Sequence, residues 1–298
     1  MKFIVTGGAG FIGCHLINLL LENIDNTVVN IDKLTYASNE RSLNDFEKNS
    51  NYSLHKVDIV DYQCVKKIIN NFKPDAIFHL AALARIQPSF DNPLETISVN
   101  AQGTANICEL ARRIDSKVVY AGSSSFYGGA YLNPYAFTKW QGEEVCKLFS
   151  KIYNLSVSIA RFFNVYGDRH VSTGAYATVI GIFENQYKNQ EVLTITGDGE
   201  QRRDFTHVFD IANANYLAMN SNKVGKGEVI NIGNSDNRSV NDIANMIGGP
   251  KVFVDPVIEP RETLADNTKA KELLGWEPTI EIEDWVPKYK KQLKIKDE

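Results

Sequence analysis

Short runs of apolar, mostly β-branched residues alternate along the chain with longer stretches in which apolar side chains recur every three or four positions. The short runs are continuously apolar, which is typical of strands buried on both faces of a parallel sheet. The longer stretches have the period of helices that pack on such a sheet. This pattern predicts strands at residues 3–6, 27–31, 53–57, 76–80, 117–121, 156–160 and 229–232, and helices that include residues 11–21, 96–113 and 135–153.

The strict alternation of strand and helix predicts an α/β fold built on a doubly wound parallel Rossmann sheet. Such sheets bind ligands at the carboxyl ends of their strands. After Asn164 the pattern loosens and glycine-bearing segments interrupt it. We therefore expect residues 1–165, with about 206–232, to form a dinucleotide-binding domain. Residues of about 166–205 and 233–298 would form a smaller mixed C-terminal lobe for the substrate.

A glycine-rich segment follows the first strand directly and opens the first helix. Gly7, Gly10 and Gly13 have the spacing of a turn in which backbone approaches a pyrophosphate and the helix packs closely on the strand. Asp32 ends the second strand about 20 residues further on, where a carboxylate would bond an adenosine ribose. A carboxylate there repels a 2′-phosphate, so the pattern favours NAD over NADP, and the adjacent Lys33 weakens this preference slightly.

Residues at the ends of other strands are expected to line the same crevice. Small and apolar side chains at these ends suit an adenine edge and a nicotinamide face. The predicted cofactor contacts are Gly7, Gly10, Phe11, Ile12, Gly13, Asp32, Lys33, Asp58, Ile59, Leu80, Ala81, Ala82, Asn100, Tyr135, Lys139 and Phe162.

Tyr135 and Lys139 lie four residues apart at the start of a predicted helix and so share one of its faces. An ammonium beside a phenol favours the phenolate and lowers the phenol's pKa, which permits proton transfer near neutral pH. Ser123 follows the fifth strand and can hydrogen-bond the same substrate oxygen. A tyrosine–lysine pair alone is common on helix surfaces. This pair, however, follows a dinucleotide-binding turn in the sequence and is accompanied by Ser123. We therefore predict that Ser123, Tyr135 and Lys139 form a catalytic set.

Composition narrows the classes of function that remain. The chain carries 32 Lys and Arg against 36 Asp and Glu, a formal net charge of −4, which argues against nucleic-acid binding because phosphate must be offset by positive charge.

No segment reaches the roughly 18 apolar residues of a membrane span. The four cysteines lack zinc-ligand spacing, so we expect no metal. These features favour a cytoplasmic protein without membrane contact, and we expect the lysines at 288–296 to form the solvated face of a last helix.

These motifs, in this order, resemble the extended short-chain dehydrogenase/reductase family, specifically its NAD-dependent nucleotide-sugar epimerases and dehydratases. The resemblance rests on the glycine turn, on Ser123, Tyr135 and Lys139, and on residues 161–167 and 197–205. The resemblance covers nearly the whole chain. It implies that Tyr135 takes the proton of the sugar 4-hydroxyl while C4 gives hydride to NAD. It also implies that Lys139 holds the nicotinamide ribose and that Ser123 orients the hydroxyl.

The resemblance further implies a nucleotide-sugar site in the C-terminal lobe. The expected substrate contacts are Ser124, Ser125, Asn164, Val179, Arg203 and Arg261. Asn164 and Arg203 match positions that contact the substrate diphosphate in relatives, and a guanidinium suits a diphosphate. The other interpretation of Arg203 is a surface salt bridge to Asp204 or Glu200.

Relatives also dimerise through the helices that correspond to residues 96–113 and 135–153, so we expect a homodimer. The apolar residues that would serve this contact are Ile107, Leu110, Val145 and Leu148. The alternative is that these apolar faces only pack on the sheet.

The expected reaction is 4-epimerisation of a UDP- or dTDP-hexose, of the UDP-glucose or UDP-N-acetylhexosamine type, through a transient 4-keto sugar. Residues 30–37 look most like the 4,6-dehydratases, but those enzymes carry an Asp–Glu pair where this chain has Ser124 and Ser125. Hydroxyls cannot replace that acid and base near neutral pH. Residues 123–128 resemble the epimerases, and residues 175–180 resemble those that act on N-acetylhexosamines.

Three alternatives stay open: a 4,6-dehydratase, another C4-oxidising dehydrogenase or reductase, and an NAD-bound structural or regulatory relative without turnover.

Two departures from the family pattern bear on the substrate. Only residues 128–134 separate Tyr127 from Tyr135, where relatives have a longer segment that helps wall the sugar site. Pro256 stands where many relatives place an arginine. An open sugar site and a weaker grip on the nucleotide are the expected results.

Overall fold

The computed structural model describes residues 1–35, 37–174 and 177–295, with side chains up to residue 291. Outside these ranges lie Tyr36, Ala175 and Tyr176, which belong to the segments compared above with dehydratases and N-acetylhexosamine epimerases, and Lys296 of the basic C-terminal segment.

The strands follow the predicted alternation closely in the first two thirds of the chain. They are β1 (Lys2–Thr6), β2 (Thr27–Asp32), β3 (Tyr52–Lys56), β4 (Ala76–His79), β5 (Lys117–Ser123), β6 (Val157–Phe162), β7 (Asn164–Tyr166), β8 (Leu193–Thr196), β9 (Arg202–His207), β10 (Lys226–Ile232), β11 (Asn237–Ser239) and β12 (Lys251–Val254).

Helices connect these strands. They are α1 (Phe11–Leu21), α2 (Glu40–Phe46), α3 (Tyr62–Phe72), α4 (Ile86–Asp91), α5 (Pro93–Ile97), α6 (Gly103–Arg113), α7 (Pro134–Tyr153), α8 (Val179–Lys188), α9 (Val208–Asn220), α10 (Val240–Ile247), α11 (Thr268–Leu274) and α12 (Ile282–Ile295).

Seven strands form one sheet in the order β10-β6-β5-β4-β1-β2-β3, and every neighbouring pair is parallel. The predicted doubly wound α/β fold is therefore confirmed. Strand order reverses between β1 and β4, so the connections that leave these two strands cross to opposite sides and open a crevice at their carboxyl ends. The crevice fixes where a ligand can enter.

Helices bury both faces of this sheet. On one face α1 and α9 pack together. The core between these two helices and the strands contains Leu16 and Ile211. On the other face α3, α6 and α7 cover a second core that contains Ile69. Ile107 and Leu110, expected on an outer apolar face of α6, also lie in this second core and are fully buried. That part of the expected dimer surface is wrong, because a sheet buried on both faces uses the apolar side of each helix.

The remaining strands form two small sheets. β7, β9 and β11 pair in one, and β8 pairs with β12 in the other. A third core, which includes Phe183, Ile243 and Trp285, lies beneath them. The boundary expected at residue 165 falls inside β7, and the division into a dinucleotide domain and a substrate lobe stays a prediction.

The helix predicted over residues 96–113 is interrupted. α5 is followed by a π-turn at Ser98–Gln102, in which the Gly103 N–H donates to the Ser98 carbonyl five residues earlier, and α6 begins at Gly103. A π-turn inserts one residue into a helical turn, and a period of three to four apolar positions does not reveal it. It places Asn100, only 1% exposed, inside the protein.

Within the described ranges, no helix is both long and apolar enough to cross a membrane. The same residues contain no group of three or more His, Cys, Asp or Glu side chains that could hold a metal ion. Two cysteines that are distant in sequence, Cys108 on α6 and Cys146 on α7, have their sulfur atoms 3.9 Å apart in the core, and both are free thiols.

A buried ion pair ties β6 to α7. The Arg161 guanidinium donates from Nε to Glu143 at 3.0 Å and from its terminal nitrogen at 2.5 Å, and both residues are at most 5% exposed. The guanidinium also lies against the rings of Phe126 and Tyr127, at 4.4 and 4.9 Å from their centroids. The pair therefore joins the strand, the helix and the segment after β5.

We predict that Glu143→Ala lowers the free energy of unfolding by about 3–5 kcal/mol, because it leaves the Arg161 charge buried without its partner. Glu144→Ala, the adjacent exposed residue, is the matched control and should change it by less than about 1 kcal/mol. Urea unfolding measures both. Equal effects of the two substitutions would contradict a structural role for the buried pair.

Candidate active site

A cavity of about 730 Å³ opens at the carboxyl ends of the parallel strands. Its wall brings together most of the residues singled out from the sequence. These are Gly7, Gly10, Phe11, Ile12, Gly13, Asp32, Lys33, Asp58, Ile59, Leu80, Ala81, Ala82, Ser123, Ser124, Ser125, Tyr135, Lys139, Phe162, Asn164, Val179 and Arg203. Asn100 and Arg261 do not line it.

The glycine turn between β1 and α1 leaves no room for side chains. Gly7 has a φ of +73°, and a Cβ there would lie 2.7 Å from the Ala81 nitrogen. A Cβ on Gly13 would collide with the Gly7 carbonyl oxygen. Gly10 starts α1 without any side-chain cap, so the first N–H groups of this helix stay available to an anion at its positive end.

The Asp32 carboxylate stands at the end of β2 beside this turn. Its oxygens accept N–H groups from Ala9 at 3.0 Å and from Leu34 at 2.8 Å. Burial raises the pKa of the carboxyl, and the two backbone donors oppose that rise. A fixed carboxylate, an uncapped helix start and a turn closed to side chains are the donor and acceptor set of a dinucleotide, so the residues present fit NAD.

Lys33, the residue that could weaken selectivity against a 2′-phosphate, is held by two carboxylates. Its ammonium lies 3.4 Å from Asp58 and 3.2 Å from Glu95. These contacts offset its charge beside Asp32.

Tyr135 lies in the first turn of α7, and its phenol O–H donates to Ser123 Oγ at 3.2 Å. Asn133 caps the helix by accepting the Ala136 N–H at 2.8 Å, which fixes the start of α7. Burial raises the pKa of the Tyr135 phenol, while the Ser123 hydroxyl and the Arg85 guanidinium lower it. The pairing of Tyr135 with Ser123 agrees with the catalytic set predicted from the sequence.

Lys139 follows Tyr135 by one turn of α7, and its Nζ lies over the ring of Tyr120, 4.4 Å from the centroid. A contact between the Lys139 ammonium and the Tyr135 phenol stays a prediction. Burial lowers the pKa of Lys139 to about 8, against the opposing effect of Glu143. The electron-rich ring face attracts the cation, and no spacing in the sequence announces this contact.

Asn100 lies behind the cavity wall instead of in it. Its Oδ1 accepts the Leu83 N–H at 2.8 Å, and its amide nitrogen donates to the Leu83 carbonyl at 3.1 Å and to Thr138 Oγ1 at 3.0 Å. The side chain thus fixes the segment after β4 to α7. A direct contact between Asn100 and the cofactor stays a prediction.

Two of the predicted substrate contacts, Ser124 and Ser125, begin a 3-10 turn after β5, and the Ser125 N–H donates to Ser123 Oγ at 3.2 Å. Ser125 Oγ is buried and has no hydrogen-bond partner among the described residues. Such an atom needs a partner, and a sugar hydroxyl in the cavity would provide one. Val179 faces the cavity from the first turn of α8, which Thr178 caps.

Arg203 is held by Glu259, which was not singled out from the sequence. The guanidinium donates to the Glu259 carboxylate at 2.6 Å and is largely buried, so the alternative of a surface salt bridge to Asp204 or Glu200 is wrong. The Asp204 carboxylate instead accepts three backbone N–H groups, from Asn234, Ser235 and Ala265.

Arg261 lies outside the cavity. It pairs through two nitrogens with the Asp198 carboxylate, at 2.7 and 3.0 Å, on the exposed surface. Hydrogen bonds from Arg261 lower the pKa of Asp198 to about 2.

The cavity wall also contains Arg85, which the sequence motifs did not single out. It precedes α4 on the segment that follows β4. Its position shortly after a strand end is the signal in the sequence that could have placed it at the cavity.

Comparison with known proteins agrees with this geometry. The profile of the NAD dependent epimerase/dehydratase family matches residues 3–233. The UDP-glucose 4-epimerase of Mycolicibacterium smegmatis is 33% identical over 312 residues, covering 97% of both chains. UDP-glucuronic acid decarboxylase 3 of Arabidopsis thaliana is 29% identical over 326 residues, covering 99% of this chain and 90% of its own.

Among solved structures, the chain is similar to UDP-glucuronic acid 4-epimerase from Bacillus cereus, solved in complex with UDP-glucuronic acid and NAD. The TM-score is 0.89 at 32% identity, over 98% of this chain and 100% of that one. With the family profile and the fit of the glycine turn and Asp32, this identifies NAD as the cofactor.

We predict that the protein binds NAD more tightly than NADP, and that Asp32→Ala reduces the ratio of the two dissociation constants by about tenfold or more, because the carboxylate repels the 2′-phosphate. Isothermal titration calorimetry with each cofactor gives the ratio. Asp45→Ala, at an exposed carboxylate on α2, is the control. Equal affinity of the unsubstituted protein for both cofactors would show that Asp32 does not select.

Proposed function

The chain belongs to the NAD dependent epimerase/dehydratase family, and we propose that within it the protein is a nucleotide-sugar 4-epimerase. Its substrate is a UDP- or dTDP-hexose, of the UDP-glucose or UDP-N-acetylhexosamine type. The named relatives support a UDP-linked sugar, since one acts on UDP-glucose and another was solved with UDP-glucuronic acid. Membership of a family of NAD-dependent enzymes sets aside the alternative of a relative without turnover.

The observation that carries the proposal is the chemistry of the wall around Tyr135. The side chains next to Ser123 are the hydroxyls of Ser124 and Ser125, and neither can act as the acid or the base that removal of water requires. An epimerase needs neither. The proton that Tyr135 takes from the sugar oxygen in the first half of the reaction returns to the same oxygen in the second half.

Each group has one task in this mechanism. NAD, when bound, accepts a hydride from C4 and gives it back. Tyr135 Oη takes the proton of the 4-hydroxyl, and Ser123 Oγ, 3.2 Å from it, orients that hydroxyl. Lys139, buried one turn further along α7, holds the nicotinamide ribose. The keto sugar stays in the cavity between the two half-reactions and presents its other face when hydride returns.

The diphosphate lies toward Arg203 and Asn164 in this proposal. Because Glu259 already neutralises Arg203 and Pro256 replaces an arginine of many relatives, fewer positive charges hold the diphosphate. The short segment after Gly128 leaves the neighbouring Tyr131 81% exposed. Both features agree with a site that holds its nucleotide sugar weakly.

We predict that purified protein with NAD interconverts the C4 epimers of at least one sugar in a panel of UDP-, dTDP-, GDP- and CDP-hexoses, hexuronates and N-acetylhexosamines. Tyr135→Phe should fold, bind NAD and lose about 10²- to 10⁴-fold in turnover, because it lacks only the proton-transferring oxygen. Chromatographic separation of the products measures the rate.

Tyr131→Phe, outside the cavity, is the matched control and should keep the rate of the unsubstituted protein. A released keto sugar or carbon dioxide would replace epimerisation with dehydration or decarboxylation. Turnover by Tyr135→Phe at the unsubstituted rate would refute the mechanism.

The protein is also proposed to be a homodimer that packs α5 and α7 against their symmetry mates. Unlike the buried apolar residues of α6, several on these helices are exposed: Leu94 by 81%, Leu148 by 54% and Ile152 by 60%. Water-exposed apolar side chains on two helices that contact each other are typical of an interface.

Light scattering should therefore give twice the chain mass of 33.4 kDa at micromolar concentration, and Leu148→Asp combined with Ile152→Asp should give the monomer. Ile24→Asp, at a more exposed apolar position outside these helices, is expected to leave the dimer intact. A monomeric unsubstituted protein would exclude the interface.

A further inference from the structure

A buried histidine lies behind the cavity wall, between the glycine turn and the π-turn. His79 ends β4 and is only 1% exposed. One of its ring nitrogens, Nδ1, lies 2.7 Å from Thr6 Oγ1, and the other, Nε2, lies 3.0 Å from Thr104 Oγ1. The predicted cofactor contacts and the catalytic set do not include this imidazole.

The hydroxyl of Thr104 fixes which nitrogen of His79 carries the hydrogen. Thr104 Oγ1 donates its single hydrogen to the Asn100 carbonyl at 2.6 Å, so it accepts the bond that it shares with His79. Nε2 is therefore the nitrogen with the hydrogen, and Nδ1 is an acceptor. Burial lowers the pKa of His79 to about 3, so the ring is uncharged near neutral pH.

The other bonds of this network then run in one direction. Thr6 Oγ1 accepts the Ala81 N–H at 3.3 Å and donates to Nδ1 of the ring. If Nδ1 carried the hydrogen instead, both of these partners of Thr6 Oγ1 would be donors. The chain of donors leads from the Ala81 N–H through Thr6 Oγ1, His79 and Thr104 Oγ1 to the Asn100 carbonyl. Each hydroxyl in it donates once and accepts once, and bonds aligned in this way strengthen one another.

Both ends of this chain reach residues 80–83, which form part of the cavity wall. One end is the Ala81 N–H itself. At the other end, the Asn100 side chain bonds both the N–H and the carbonyl of Leu83. The glycine turn packs against the same wall, because a Cβ on Gly7 would lie 2.8 Å from the Ala81 Cα. The chain of bonds therefore sets the distance between residues 80–83 and the glycine turn.

We propose that His79 is a positioning residue for NAD, which in its Nε2-protonated form holds residues 80–83 where the cofactor contacts them. His79 is not part of the cavity wall and acts through the backbone of Ala81 and Leu83. The inference goes beyond the proposed function, because it rests on NAD as the cofactor and not on the reaction of the sugar.

A break in the chain is expected to weaken NAD binding more than folding. Without NAD, an Ala81 N–H that has lost its acceptor can turn to water in the cavity. NAD displaces this water when it binds, so the N–H is then buried without a partner. The cost of the missing bond therefore falls on the NAD-bound state.

The first test compares Thr6→Val with Thr6→Ser by isothermal titration calorimetry with NAD. Valine keeps the branched shape of the side chain in β1 but lacks the hydroxyl, whereas serine keeps the hydroxyl. We expect Thr6→Val to raise the dissociation constant for NAD about tenfold and Thr6→Ser to keep it within about twofold. Thr104→Val breaks the chain on the other side of His79 and should also raise this constant.

Thr96→Val is the matched control. Thr96 is buried to a similar extent as Thr6, and its hydroxyl donates to the Asn92 carbonyl at 2.8 Å, at the start of its own helix α5. This substitution also removes a buried hydroxyl, but it leaves residues 80–83 in place. The dissociation constant for NAD should therefore stay unchanged.

The second test determines the tautomer of His79 in the unsubstituted protein. Long-range proton–nitrogen NMR of protein labelled at the histidine nitrogens distinguishes Nδ1–H from Nε2–H, and His79→Gln identifies the signals of this ring among those of five histidines. We expect the hydrogen on Nε2, unchanged from about pH 5 to 8, the range in which an unperturbed histidine titrates.

A hydrogen on Nδ1, or a second proton on the ring within this range, overturns the proposal. So does an unchanged dissociation constant for NAD in both Thr6→Val and Thr104→Val. An equal increase in Thr96→Val would assign the effect to packing and likewise contradict it. Neither measurement needs a sugar, so both decide this point even if the panel of nucleotide sugars yields no epimer.

Discussion

Parallel pairing throughout the central sheet is the constraint on which the site depends. When all seven strands run the same way, their carboxyl ends share one edge, and the residue that follows each strand is exposed to the same crevice. Gly7 follows β1, Asp32 ends β2, Leu80 follows β4 and Ser123 ends β5. Four segments that are far apart in sequence thus meet in one cavity without any long loop to bring them together.

The features that could be predicted from the sequence are those encoded in local spacing. Continuous apolar runs predicted the seven strands of the central sheet but not the five short strands that the structure describes outside it. The glycine spacing predicted the tight turn before α1 with Asp32 beside it, because each feature depends on residues close in sequence or on the end of one strand. The ion pair between Arg203 and Glu259 joins residues 56 positions apart. Neither the partner of Arg203 nor the ring contact of Lys139 could follow from spacing, since both are set by the packing of separate elements.

Two ion pairs of different burial lie in the C-terminal part of the chain. Arg203 with Glu259 is largely shielded from water, while Arg261 with Asp198 is exposed. Salt screens the exposed pair strongly and the shielded one weakly. Of these two pairs, the inner one therefore contributes more to the electrostatics of the cavity wall. An anionic ligand at Arg203 has to share the guanidinium with a carboxylate or displace it, which couples ligand entry to a rearrangement of Glu259.

The π-turn at Ser98–Gln102 constrains how this chain can vary in length. One residue added to a helix rotates everything before it by about 100° relative to everything after it. A single inserted residue therefore fixes how the exposed face of α5 is rotated relative to the buried face of α6. A deletion there would restore ordinary helical bonding but withdraw Asn100 from the Leu83 backbone and Thr138, and would turn Leu94 to a different side. Loss of one residue from this helix would therefore change the contacts of two helices, whereas exchange of an exposed residue would leave their relative rotation as it is.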